Sequence, residues 1–240
     1  MLFSLYLSDF QQFLSKKFNG VSLLPQDIIQ GNIDEELNTL LKLYVLLYAD
    51  DTVILAETEG ELQNALIALE DYCALWKLEV NIDKTKIIIF SRGKVKKYRK
   101  FTFAHLEVEV VTDYVYLGVQ MHYNNSLNKA IEKQITLARK AMFSMLSKVN
   151  KLNLPIDIQF QLFDKLVISV LLYGCEIWGY QNLDKIELFH RTFLKQVLKI
   201  SKFSSKAMVH GETGRHDIKT LIYGRLLNFW NRLQLGDNNK

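Results

Sequence analysis

The chain has 240 residues, 49% of them hydrophobic and 23% charged, with a formal net charge of +4. That length and balance suit one large or two small domains with real cores and exclude wholesale disorder. The mild positive charge is compatible with a nucleic-acid partner without demanding one.

Residues 2–18 read as a helix, because Leu2, Phe3, Tyr6, Phe10, Phe13 and Leu14 recur at near-helical spacing. The apolar start lacks a basic leader and Asp9 interrupts it, so it does not read as a signal peptide. Residues 19–40 are polar and punctuated by Gly20, Pro25 and Gly31, as in a long surface loop or a two-stranded insertion. Two apolar runs follow, Leu43-Tyr44-Val45-Leu46-Leu47 and Val53-Ile54-Leu55-Ala56. Each has the length and composition of a short, largely buried strand. Between them, Tyr48-Ala49-Asp50-Asp51 leaves room only for a tight turn, which aspartate tolerates because its carboxylate can bond nearby backbone. The expectation is a β-hairpin with two adjacent carboxylates at its tip.

Two carboxylates held close repel unless positive charge sits nearby. Hard oxygen donors suit magnesium, which is usually held by one or two carboxylates plus substrate phosphates. Paired magnesium ions can serve the attacking and the leaving oxygen in phosphoryl transfer. Taken alone, an Asp-Asp pair more often just solvates a turn, so the flanking sequence decides.

Thr58 and Glu61 then form a capping-box pair at a helix start. Leu62, Ala65, Leu66, Leu69, Tyr72, Cys73 and Trp76 make its apolar stripe, expected to pack behind the carboxylate hairpin. Asn81-Ile82-Asp83-Lys84-Thr85-Lys86 reads as a turn before a strand, Ile87-Ile88-Ile89-Phe90. Arg92, Lys94, Lys96, Lys97, Arg99 and Lys100, with Tyr98 among them, form the densest basic cluster. Such a loop either follows a phosphate backbone or is a solvated linker. Residues 101–121 alternate as β-structure, with a strand through Tyr114-Val115-Tyr116-Leu117.

From Ser126 onward the pattern is helical. One stripe runs through Ile131, Ile135, Ala138, Met142, Met145, Leu146 and Val149. A second helix follows Pro155 and carries Phe160, Phe163, Val167, Val170 and Leu171. A third carries Ile186, Phe189, Phe193, Leu194, Val197 and Leu198, and a last one Leu221, Leu226, Phe229, Trp230 and Leu233. Arg139, Lys140, Lys148 and Lys151 could face a duplex, though surface lysines need no such reason. Cys73 and Cys175 read as buried free thiols, and no Cys/His spacing suggests zinc. The longest apolar block, Leu166 to Gly174, falls short of a membrane span, so no membrane partner is expected.

Tyr48-Ala49-Asp50-Asp51 resembles the YxDD box of reverse transcriptases, and its continuation Thr52-Val53-Ile54-Leu55-Ala56 resembles the form found in LINE-type (non-LTR) retrotransposons. Asn81 to Lys86 resembles the next polymerase motif, and Tyr116-Leu117-Gly118-Val119 the primer-grip hairpin. Leu172-Tyr173-Gly174-Cys175-Glu176-Ile177-Trp178 and Met208-Val209-His210-Gly211-Glu212-Thr213-Gly214-Arg215 resemble segments downstream of the polymerase core.

The resemblance implies an α+β fold. Residues 1–121 would be the later part of a polymerase palm, an antiparallel sheet with packed helices, and residues 122–240 a helical, thumb-like region. It implies Asp50 and Asp51 as catalytic magnesium ligands, Asp50 the stronger candidate, and Lys84 near the departing pyrophosphate. Tyr48, Tyr116, Leu117, Gly118, Lys94, Lys96, Lys97, Arg99 and Lys100 would contact nucleic acid. Partners would be an RNA template and a DNA primer, and the location intracellular and nuclear. The family has Gly-Leu after the helix that follows the YxDD hairpin, where this chain has Lys77-Leu78, so that C-cap is expected to be distorted. The family's first catalytic aspartate and its fingers lie upstream of the segment that Leu2 to Leu7 resembles, and neither Asp9 nor Asp27 sits in a matching motif. The isolated chain is therefore expected to be inactive, with a two-metal site short of one carboxylate strand. The alternatives are a non-catalytic nucleic-acid-binding remnant and a truncated product without function.

Overall fold

A computed structural model describes residues 7, 9–22, 42–91, 93 and 98–235. It is α+β and forms two compact units, Met1–Ile89 with Lys94–Val111, and Phe90–Gly93 with Thr112–Lys240. The unit division falls at Val111/Thr112, where the sequence reading divides the chain at 121/122. The β-hairpin of residues 113–122 thus packs with the helices.

The first unit is built around one helix. Helix α1 (Phe10–Ser15) leads into strands β1 (Val21–Ser22) and β2 (Lys42–Leu43), which pair with each other. The rest of the helix expected over residues 2–18, and most of the loop at 19–40, lie outside the described residues. Strands β3 (Val45–Tyr48) and β4 (Asp51–Ile54) form the expected antiparallel hairpin.

Helix α2 (Glu59–Trp76) starts at Thr58, whose Oγ1 accepts from the Glu61 amide at 3.2 Å. It ends at Lys77, which takes the left-handed conformation at φ 55°. The Leu78 amide then reaches back to the Cys73 carbonyl at 2.9 Å. The C-cap is therefore formed rather than distorted, because lysine adopts the geometry in which glycine is usual.

The apolar side of α2 serves two cores. Ala65, Ala68 and Tyr72 pack with Phe10, Leu14, Tyr44 and Val45. Leu66 and Cys73 pack instead with Ile87, Phe101, Phe103 and Val108. The stripe thus covers more than the carboxylate hairpin, because a second sheet occupies its other flank. That sheet has the order β5-β7-β6, from β5 (Lys86–Ile87), β6 (Phe101–Phe103) and β7 (Leu106–Val110).

An antiparallel sheet was expected, but β5 pairs parallel to β7. The long connection through β6 gives the chain room to return in the same direction. β5 is also shorter than the four residues expected, since Phe90–Gly93 join the second unit, where the Ser91 amide donates to the Tyr123 carbonyl at 2.9 Å. The Gln63 amide side chain pairs with the backbone of Thr102, donating at 2.8 Å and accepting at 3.0 Å, and so covers that edge of β6.

The second unit begins with the hairpin β8 (Asp113–Tyr116) and β9 (Val119–His122). Helix α3 (Asn128–Leu152) buries the expected stripe from Ile131 to Val149. Helix α4 (Ile156–Leu162) runs through a π-helical turn, Phe163–Ile168, into α5 (Ser169–Leu171). The short α6 (Cys175–Trp178) leads to α7 (Asp184–Val197), α8 (Lys206–Thr213) and α9 (Ile218–Leu235). Phe163 stacks on Phe193 with centroids 3.6 Å apart, at the middle of a core shared by α3, α7 and the π turn.

The last helix departs from expectation. Ile218 and Ile222 are its buried residues, while Leu221, Phe229, Trp230 and Leu233 are exposed. Among the described residues, no helix is long and apolar enough to cross a membrane.

Candidate metal and nucleic-acid site

The β3–β4 hairpin is anchored at its base and open at its end. Tyr44 and Val45 are buried, the Leu55 amide donates to the Tyr44 carbonyl at 3.0 Å, and the Tyr44 ring meets Phe18 edge-on at 5.6 Å. Toward the tip Leu46, Leu47 and Tyr48 are exposed. The strands are therefore less buried than their composition suggests, since among the described residues β3 and β4 pair with each other alone and the base of the hairpin is the part that packs with α2.

The register sets Tyr48 opposite Asp51, leaving Ala49 and Asp50 as the two turn residues. Ala49 carries the positive φ, 53°, that such a turn requires. Asp50 thus projects from the turn itself, and Asp51 opens β4 beside Tyr48. Directly opposed residues share a face, so an exposed aromatic ring stands next to the Asp51 carboxylate. Both carboxylates are exposed.

Two solvent-facing hard-oxygen donors on adjacent residues fit magnesium that takes its remaining ligands from water and phosphate. Among the described residues, no group of three His, Cys, Asp or Glu side chains could hold a metal ion. Asp50 and Asp51 are the adjacent carboxylates of this hairpin that could hold such an ion.

Lys84 stands elsewhere in the same unit, on the turn before β5. Asn81 builds that turn: its side chain accepts from the Lys84 amide at 3.1 Å, and its carbonyl from the Thr85 hydroxyl at 2.8 Å. The side chain of Lys84 is exposed, and β5 belongs to a different sheet from the carboxylates.

Of the basic loop, Lys94, Lys96 and Lys97, together with Arg92, lie outside the described residues. Arg99 donates to the Glu59 carbonyl at 3.0 Å, and its backbone amide donates to the Glu59 carboxylate at 3.3 Å. Lys100 pairs with Glu107 at 2.7 Å, which holds its ammonium above the usual lysine range. These two cations carry protein partners, a role that their sequence spacing did not suggest.

Tyr116, Leu117 and Gly118 come together at the β8–β9 turn in the second unit. Leu117 and Gly118 have φ of 45° and 81°. The sequence suggested that Gly118 leaves room for nucleic acid, but the Tyr173 ring occupies that side. A Cβ on Gly118 would stand 2.8 Å from Tyr173 Cε1.

The downstream segment Met208 to Arg215 also gains a physical role. Ser205 caps α8 by accepting from the Met208 amide at 3.2 Å, and Gly214 ends that helix at φ 62°. Arg215 then makes a two-pronged contact with Asp164 on the π turn, and Lys206 pairs with Asp217. Sequence reading missed Tyr173, Lys133, Asp164 and Asp217 as organising residues. Their partners lie up to 56 positions away, and no local pattern encodes such pairings. An open surface depression borders this segment, beside His210, Arg215 and Asp217, and includes none of the sequence-predicted site residues.

An uncharacterized transposon-derived protein of Caenorhabditis elegans is 25% identical over 198 residues, spanning 80% of this chain and 68% of its own length. No solved structure matches the chain. Residues 1–121, half of the 240 and including the carboxylate hairpin, match the family described as Reverse transcriptase (RNA-dependent DNA polymerase). The chain belongs to the reverse transcriptase family.

Proposed function

We propose that the chain is a portion of an RNA-directed DNA polymerase from a LINE-type, non-LTR retrotransposon. In this reading Asp50 and Asp51 are magnesium ligands facing the phosphates of a primer and an incoming nucleotide. The observation that supports it most is the exposed two-residue turn carrying both carboxylates inside the family-matched segment. The transposon-derived relative supports a retroelement origin.

Magnesium at such a site stabilises the charge on the attacking and leaving oxygens. The chain's own residues do the holding and orienting. Asp50 presents its carboxylate from the turn, and Asp51 from the first position of β4. Tyr48 offers a ring face for stacking on a sugar or base. Lys84 supplies an ammonium for the departing pyrophosphate. Lys94, Lys96, Lys97, Arg99 and Lys100, with the turn at Tyr116 to Gly118, contact the RNA template and DNA primer. The site of action is nuclear.

In this reading the isolated chain binds an RNA–DNA hybrid but does not extend its primer, because neither Asp9 nor Asp27 sits in a motif like that of the family's first catalytic aspartate. That same observation favours one other reading, a non-catalytic nucleic-acid binder. Hybrid binding with and without magnesium separates the two. The polymerase reading requires that magnesium strengthen binding in the presence of a deoxynucleotide, and that Asp50→Asn and Asp51→Asn abolish the gain. Salt-sensitive binding indifferent to magnesium and to both substitutions leaves the non-catalytic reading. Primer extension by the wild-type chain, lost in Asp50→Ala, contradicts the inactivity proposed here.

A further inference from the structure

The segment Leu172 to Trp178 contributes no chemistry to the reading above, yet the structure ties it to one place. Strands β8 and β9 are joined by Leu117 and Gly118, both at positive φ. That two-residue geometry matches the twist of a hairpin, but asparagine and glycine usually supply it, and leucine is strained there. The surroundings must therefore hold the turn.

Tyr173 does so twice. Its hydroxyl donates to the Leu117 carbonyl at 2.9 Å, and its ring fills the space that a side chain at position 118 would need. Lys133 reaches the Gly118 carbonyl at 3.4 Å. Tyr173 is held in turn: its carbonyl accepts from Trp178 Nε1 at 3.1 Å, and Trp178 is fully buried. Gly174, at φ 67°, lets the chain pass close beneath the hairpin, since a Cβ there would stand 3.0 Å from Val119 Cγ2.

For all this anchoring, Tyr173 remains 52% exposed. An open aromatic ring and an ammonium thus flank a turn whose two carbonyls are already engaged. That combination suits a nucleic-acid strand: the ring can stack, and the engaged carbonyls repel phosphate less.

We propose that Tyr173 is a positioning residue for the Leu117–Gly118 turn and sets it to contact one strand of an RNA–DNA hybrid. This rests on the reading of the chain as part of a reverse transcriptase. The test uses the full chain, with Tyr173→Phe and Tyr173→Ala, and two measurements. Hydrogen exchange of residues 113–122 in the free protein reads the turn, and fluorescence anisotropy with a short RNA–DNA hybrid reads binding. Tyr173→Phe keeps the ring and loses the hydroxyl bond, so it should speed exchange and weaken binding a few-fold, on the scale of one hydrogen bond. Tyr173→Ala should do both by about tenfold or more, with the thermal midpoint of Tyr173→Phe held near wild type.

Unchanged exchange in both variants overturns the positioning role. Faster exchange with unchanged hybrid affinity overturns its link to nucleic acid. If the wild-type chain itself fails to bind the hybrid, the reverse-transcriptase reading fails instead, and the proposed contact with it, while the exchange data still judge the turn.

Discussion

Lys77 illustrates how a single residue can hide its role in sequence. The family pattern calls for glycine there, and glycine is preferred because it has no Cβ to collide in the left-handed conformation. The structure keeps the conformation and pays the strain, at φ 55°. Lys77→Gly should therefore raise stability by about 1 kcal/mol, seen as a higher urea midpoint at unchanged slope. A lower midpoint would mean that the cap is not left-handed. Ala49 has the same kind of backbone at the carboxylate turn, φ 53°. Ala49→Val, whose β-branch tolerates that region worst, should destabilise by about 1–2 kcal/mol. His190 is a residue whose role no motif announced. It is buried, its ring lies 6.0 Å from that of Phe163, and neither of its nitrogens has a hydrogen-bond partner among the described residues. Burial, then the nearby Arg215 and His210, push its pKa down to about 3 from an ordinary 6.5. The unfolded chain then binds a proton that the folded chain refuses, so the His190 contribution is complete above pH 6.5 and is lost as pH falls toward 3. His190→Phe should flatten the stability profile across that window, measured by urea melts at several pH values. An unchanged slope would exclude His190 as its source.

At the scale of elements, hydrophobic periodicity located α2, α3 and α7 and named most of their buried faces. It could not say what those faces meet. Helix α2 reads as one stripe, yet it splits between two cores, since Leu66 and Cys73 turn to a sheet whose parallel β5–β7 pair has no local signature. Tyr72 marks the other side: it is fully buried, and its hydroxyl donates to Asp9 at 2.6 Å. Tyr72→Phe should cost about 1 kcal/mol, because water can replace the lost partner at the exposed Asp9. Tyr72→Ala should cost about 3–5 kcal/mol, because a cavity opens between α1 and α2. Equal losses in urea melts would contradict that division. Helix α9 shows the limit of pattern reading. Its apolar residues are spaced as a buried stripe, but the packing runs through Ile218, Ile222 and the half-buried Leu226, while Leu221, Phe229, Trp230 and Leu233 stay exposed. The antiparallel pairing of the carboxylate hairpin was legible, because its turn and flanking strands are local, but its exposure and the two-residue turn that puts Tyr48 and Asp51 inside the strands were not. The grip of Tyr173 on Gly118 was not, since it joins residues far apart in the chain.

At the scale of the molecule, the sequence motifs identified the family, and residues 1–121 carry the match. The unit division at Val111/Thr112 was not legible, because hairpins on either side of it look alike in composition. The thiols fit the expected buried state: burial raises Cys73, and raises Cys175 to about 11. The native protein should therefore resist alkylation near neutral pH and react at both cysteines once unfolded. The central claim is that Asp50 and Asp51 hold a metal ion. Iron(II) can stand in for magnesium, and with peroxide and ascorbate it cleaves the polypeptide where it is bound. In the full chain with an RNA–DNA hybrid and a deoxynucleotide, cleavage should centre on residues 48–52, fall away with excess magnesium, and vanish in Asp50→Asn. Cleavage that ignores magnesium, or that persists unchanged in Asp50→Asn and Asp51→Asn, would contradict the assignment of the metal to this hairpin.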